Sequence, residues 1–102
     1  MWAEQPGWLW SLSRCIRNHE SINVGHYQAE NPVSTAAGAY QYIQSTWDGN
    51  ARWAKWNGRY VARKYVGKPA SHAPAWVQDV VFIHTISRGG IKAWNGTGCP
   101  GT

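Results

Sequence analysis

Trp8, Leu12, Cys15, Ile16 and His19 follow the three-and-four spacing of one helical face, which predicts an amphipathic first helix over Trp8 to His19. From Glu20 to Ala39 that rhythm dissolves into turn formers, Asn31-Pro32, Ser34-Thr35 and Gly38. A loop of this length in a small domain usually carries function. Ala39 to Ile43 reads as a short extended segment, and Ser45-Thr46 offers an N-cap for a helix from about Trp47. Asn57-Gly58 breaks that helix, and a second short one is expected from Arg59 to Val66, stopped by Gly67-Lys68-Pro69. The clearest helix runs from Pro74 to Arg88. Val77, Val80, Val81 and His84 share a face there, and Gly89-Gly90 end it. The tail from Trp94 to Thr102 is Gly-rich. The pattern predicts one mainly α (α+β) domain over 1–102, with 1–7 as an N-terminal extension.

Composition sharpens this outline. Eight tryptophans and five tyrosines stand against one phenylalanine, so much of the apolar surface is flat and amphipathic, suited to stacking on sugars or bases. Ten lysines and arginines against five acids give a net charge of +5, which suits a polyanionic partner: nucleic acid, an anionic membrane surface or an anionic cell wall. No apolar run approaches the roughly 20 residues that span a bilayer. The first residues lack a basic segment and a cleavage pattern, so they do not read as a signal peptide, and the chain is expected to be a mature or excised module. Cys15 and Cys99 lie near opposite ends without a CxxC pair, which argues against zinc. They read either as a disulfide closing nearly the whole domain, in an oxidising setting, or as two free buried thiols.

Glu20 is the candidate for chemistry. It closes an apolar, Trp-rich helical stretch, where aromatic walls and the carbonyl end of a helix both disfavour a carboxylate. A proton held at neutral pH is what a general acid needs; a solvated helix-end glutamate is the plain alternative. His19-Glu20 opens like a zinc-protease motif, but Asn23 stands where the second histidine would be. Gly96, Gly98 and Gly101 match a dinucleotide fingerprint by letter only, with no strand before them. His84, on an apolar face, reads as a core histidine. Between Gly49 and Gln78 there is no acid, and Arg52, Lys55, Arg59, Arg63, Lys64 and Lys68 alternate with Trp53, Trp56, Tyr60 and Tyr65. Such a stretch suits a single-strand nucleic-acid groove, an acidic glycan or wall polymer, or simply a solvated face.

Glu20 gains meaning from an ordered set of motifs: Cys15-Ile16-Arg17-Asn18-His19-Glu20-Ser21, then Gly38-Ala39-Tyr40-Gln41-Tyr42, Ser45-Thr46-Trp47, Pro74 to Asp79, and Trp94 to Cys99. Jointly the set resembles the catalytic domain of the resuscitation-promoting factors and related actinobacterial transglycosylase-like proteins, over nearly the whole span from Trp8 to Cys99. The resemblance implies a lysozyme-like fold, a Cys15–Cys99 disulfide, and secreted or wall-located (or phage-borne) action as a monomer on peptidoglycan glycan strands. Glu20 would be the catalytic acid. Gln41, Thr46 and Gln78 would line the glycan cleft, with Tyr40 and Trp47 as further substrate contacts. No metal or cofactor is implied, and no nucleic-acid partner. One departure stands beside the acid: where the family has Gly-Gly after Glu-Ser, this chain has Ile22-Asn23-Val24-Gly25-His26.

Glycosidases normally use two carboxylates. Glu4 is terminal, Asp48 reads as structural, and Asp79 is expected to point away from the Gln78 face; Glu30 is the one candidate for a second acid. The implied chemistry is therefore one-carboxylate cleavage by a lytic transglycosylase or muramidase, with Glu20 as acid and then base. The alternatives are a wall-glycan-binding module without catalysis and, less well supported, a single-stranded nucleic-acid binder.

Overall fold

The computed structural model describes residues 1–102 and places α3, Ala75–Ser87, at the centre of the domain. Pro74 sets its start with φ −55°, and Gly89 ends it in the left-handed region at φ 82°. Val77, Gln78, Asp79, Val80, Val81, Phe82 and Thr85 are all buried. That is most of its circumference, as expected of a helix covered by neighbours on several sides.

α1, Gly7–Glu20, packs Leu9, Leu12 and Ile16 into the core and also buries Ser13 and Arg17. Arg17 is held by a chain of hydroxyls. Its Nε donates to Ser13 Oγ at 3.1 Å, Ser13 donates to Tyr40 Oη at 2.8 Å, and Tyr40 donates to Asp79 Oδ1 at 2.6 Å. A buried cation and a buried anion are thus joined through two neutral groups, each satisfied, which is what makes such burial tolerable. Tyr27 and Trp2 also donate to Asp79, at 2.7 and 3.3 Å. Asp79 therefore faces inward, contrary to the expectation that it points away. Trp2, in the 3-10 turn Trp2–Glu4, also packs edge-on against Trp10, so the first residues fold back onto α1.

The core is aromatic at its centre. Tyr40 stacks on Phe82 with centroids 4.3 Å apart, Trp94 lies against Phe82, and Tyr42 meets both Trp47 and Trp94 edge-on at 5.5 Å.

Two local expectations need correction. α2 spans Gln44–Ala51, so Ser45 and Thr46 lie in its first turn and do not cap it. The cap comes from afar: Thr35 Oγ1 accepts from the backbone N–H of Gln44 at 3.0 Å. Arg59–Val66 is not a helix. Lys55–Trp56 and Arg59–Tyr60 form an antiparallel hairpin, β1 and β2, turned by Asn57 and Gly58 at φ 51° and 76°. Two positive φ values match the right-handed twist of a two-residue hairpin, and Asn-Gly adopts them at low cost. Only Arg63–Tyr65 keeps a 3-10 turn. The kinked 3-10 segment Gly90–Thr97 brings Cys99 to α1, where it is disulfide-bonded to Cys15 with Cα atoms 6.0 Å apart. No helix is long and apolar enough to cross a membrane.

Candidate active site

Glu20 is the last residue of α1, half-buried. The helix ends at Ser21, whose backbone leaves the helical region at φ −146°, and Ser21 Oγ donates to the carbonyl of Ala39 at 2.6 Å. The backbone N–H groups of Val24 and His26 then both donate to Ser21 O, at 3.0 and 2.8 Å. The five residues after Ser21 are therefore wound into a tight turn, with Gly25 at φ 119°. His26 lies on Tyr27, with ring centroids 4.4 Å apart, and 3.4 Å from Arg17. Ile22 and Val24 are left on the surface at 46% and 67% exposure, an apolar rim directly after the acid.

Burial pushes the Glu20 carboxyl above its ordinary range, and the charge of neighbouring His19 opposes this more weakly. No protein group donates a hydrogen bond to this carboxyl. Every other acid has a partner. Glu4 pairs with the amino terminus, and Glu30 accepts from Ser71 at 3.0 Å with His72 at 3.8 Å. Asp48 accepts from Gln44 and from the Gly67 N–H, and Asp79 is held as described. Glu20 alone is desolvated without a compensating donor, which shifts it toward its neutral form.

The turn that Ser21 holds leads directly to a pocket. Gln41, Thr46, Ala93 and Trp94, with Tyr42 and Ile43, line a cavity of about 240 Å³ between α2 and the Gly90–Thr97 segment. Trp94 Nε1 donates to the carbonyl of Tyr40 at 2.8 Å. Consecutive carbonyls, of Ala39 and Tyr40, are thus gripped from α1 on one side and from the tail on the other. Gln41 sits at φ 52°, and its Nε2 donates to Gly38 O.

The sequence-predicted contacts divide here. Gln41 and Thr46 reach the pocket surface. Tyr40, Trp47 and Gln78 do not, because all three are fully buried. The polar tip of each is satisfied inside: Tyr40 in the hydroxyl chain, Trp47 Nε1 on Tyr65 O at 3.1 Å, and Gln78 as a brace. Gln78 Oε1 accepts from Ala39 N–H, while its Nε2 donates to Tyr27 O and Ala73 O, each at 2.9 Å. A Cβ on Gly38 would stand 2.5 Å from that Oε1, so the turn at φ 80° needs glycine twice over. These three residues shape the site from behind.

Glu30 is engaged with Ser71 and His72, so its observed contacts are with the Ala70–His72 turn and not with Glu20. His84 is not a core residue either; it edges a surface groove with Asn50, Trp53 and Arg88, where burial and Arg88 lower its pKa. His19 approaches the sulfurs of Cys15 and Cys99, but thiols joined to each other offer no thiolate to a metal. Arg17, Ser21 and Trp94 carry the site's architecture; the sequence reading holds them within its motifs but gives none of them a role. Arg17 left a further signal, by falling four residues after Ser13 on the buried face.

With this geometry in view, the chain proves transglycosylase-like in sequence. A stretch of 70 residues is 39% identical to the protein named Probable transglycosylase SceD of Staphylococcus aureus, in strains Newman, USA300 and COL among others. The match covers 69% of this chain and 26% of the relative, so the chain corresponds to about a quarter of the length of these proteins. No family model matches the chain. No solved structure matches it either.

Proposed function

We propose that this domain cleaves the β-1,4 bond between N-acetylmuramic acid and N-acetylglucosamine in peptidoglycan, as a lytic transglycosylase or muramidase of the resuscitation-promoting-factor type. The observation that carries the reading is the state of Glu20: a half-buried carboxyl with a raised pKa and no donor, one residue from the bond that fixes the pocket turn. The relationship to probable transglycosylases supports the same class of reaction.

Protonated Glu20 donates its proton to the glycosidic oxygen, and the bond to the muramic anomeric carbon breaks. The carboxylate left behind takes a proton from the nucleophile that closes on that carbon. If the nucleophile is the sugar's own 6-hydroxyl, the product is a 1,6-anhydro end; if it is water, the product is a reducing end. Either path returns Glu20 to its acid form. General acid catalysis of this kind is worth about 10² to 10⁴ in rate, and positioning by Gln41 and Thr46 at the pocket supplies a further share.

Mass spectrometry of peptidoglycan digested by the domain tests this. Muropeptides with anhydro or reducing ends are expected from the native chain, and none from Glu20→Gln. Undiminished release by Glu20→Gln would remove the assignment. Co-sedimentation with wall but no soluble product from the native chain would make it a binding module instead.

A further inference from the structure

Outside the pocket of Gln41 and Thr46, the six cations Arg52, Lys55, Arg59, Arg63, Lys64 and Lys68 are all exposed. None is neutralised: the ion pairs of the molecule are Met1 with Glu4 and His72 with Glu30, and neither uses a lysine or arginine. The sequence from Gly49 to Gln78 holds no acid to quench them. An unpaired cluster of like charges repels itself, and this one is held in place by rings. The guanidinium of Arg63 lies 3.4 Å from the Tyr60 ring centre and 5.2 Å from that of Trp53, while its Nε donates to Arg52 O at 2.7 Å. Lys55 sits 4.7 Å from the Tyr60 ring centre, and Lys64 5.3 Å from that of Tyr65. Such contacts order a cation without neutralising it.

Three of the six cations, Arg59, Arg63 and Lys64, line a groove of about 520 Å³ between the hairpin and the start of α3, together with Tyr60, Tyr65 and Trp76. It shares no residue with the pocket of Gln41 and Thr46.

We propose that this face binds a flexible phosphodiester polymer whose units carry hydroxyls and no bases, held by its charges while Glu20 works elsewhere. Guanidinium groups match phosphate oxygens in a planar fork, and a charged polymer seeks a run of ordered cations. A nucleic acid fits less well. Stacking needs open ring faces, and a cation already takes one face of Tyr65 and of Trp53, while two lie over Tyr60. Trp76, 49% exposed, is the one ring at the groove without a cation over it. The inference goes beyond glycan cleavage and does not depend on it, since the polymer is bound and not cut.

The test is binding of the whole chain to soluble poly(glycerol phosphate), titrated with salt and compared with an oligothymidylate of matched phosphate count and with dextran. Binding to poly(glycerol phosphate) that weakens steeply with salt is expected, with the oligothymidylate no tighter and dextran unbound. The double variant Arg59→Gln/Lys64→Gln removes two side chains that make no hydrogen bond within the protein. It should bind about tenfold more weakly at about 50 mM salt, with a shallower salt slope. Muropeptide release from purified peptidoglycan should be unchanged, which separates this inference from the chemistry at Glu20. No binding at low salt, equal binding by the folded double variant, or oligothymidylate bound tenfold or more tightly would overturn it. Should the double variant fail to fold, the native salt titration decides: a steep slope supports the proposal and a flat one ends it.

Discussion

Ser21 Oγ donates to the carbonyl of Ala39 at 2.6 Å, and this bond ties the end of the helix bearing Glu20 to the turn bearing Gln41. It is buried, and it joins residues 18 apart in sequence. Ser21→Ala should cost about 1 to 2 kcal/mol in urea denaturation. The loss in muropeptide release should be larger than that stability change implies, because the acid and pocket would no longer be held in register. Activity at the native level in the folded variant would show that this bond does not position the acid.

The raised pKa of Glu20 has a consequence for stability whose sign can be stated. Burial disfavours the carboxylate in the folded state, so the native chain binds this proton more tightly than the unfolded one does. The group then destabilises the fold as pH rises from the ordinary carboxyl range through its own raised value. Below that range both states are protonated and the penalty vanishes. Glu20→Gln, isosteric and uncharged, should therefore equal the native chain in stability at low pH and exceed it modestly at neutral pH. Melting both proteins across pH checks this; a Gln variant less stable at neutral pH would contradict the raised pKa.

The same pKa sets the alkaline limb of activity, since a general acid must enter protonated. His19 is the group that lowers it, through the charge it carries when protonated. Replacing His19 by Gln removes that opposition, so the limb should move to higher pH while the acid side of the profile keeps its shape. A limb that moves down, or not at all, would show that His19 does not act on Glu20.

Asp79 closes the hydroxyl chain that begins at Arg17. Truncation to Ala leaves the donors of Tyr27, Tyr40 and Trp2 without their acceptor and Arg17 without its distant counter-charge. Removing one side of a buried charged network typically costs about 3 to 5 kcal/mol. Denaturant midpoints should fall accordingly for Asp79→Ala, and an effect below about 1 kcal/mol would mean that the network is not cooperative.

The Cys15–Cys99 bond closes a loop with a sequence separation of 84 residues. In the chain-entropy model a closure of that length contributes about 4 to 5 kcal/mol. The Cys15→Ser/Cys99→Ser variant should lose that order of stability, measured by urea unfolding without reductant. A loss under about 1 kcal/mol would place the effect in the native state or a structured unfolded state.

What could be read from the residues and what could not divides along physical lines. The first and last long helices were legible because their apolar positions repeat over several turns, and so was the place of Glu20 at the end of the first. Asn57-Gly58 was read as a helix break although the pair is also a strong hairpin signal; the basic residues after it tolerate either state. The cap of α2 was hidden because Thr35 supplies it from a distant loop. Tyr40, Trp47 and Gln78 misled for a different reason. Each has a polar tip that could greet a sugar, and nothing local reveals that Asp79, Tyr65 O and Ala39 N–H occupy those tips first. Polar satisfaction in a core is a property of the assembled fold.

The unpartnered carboxyl of Glu20 also defines how the site would be inhibited. A sugar mimic with a protonated nitrogen in place of the anomeric carbon would meet an acid that no internal donor competes for, and its positive charge would favour the carboxylate, the proton leaving to water. The resulting ion pair would form at a half-buried carboxyl, where water screens it less than at an open surface. Affinity that climbs as pH rises and Glu20 ionises, and that disappears in Glu20→Gln, would be the mark of a compound seated there.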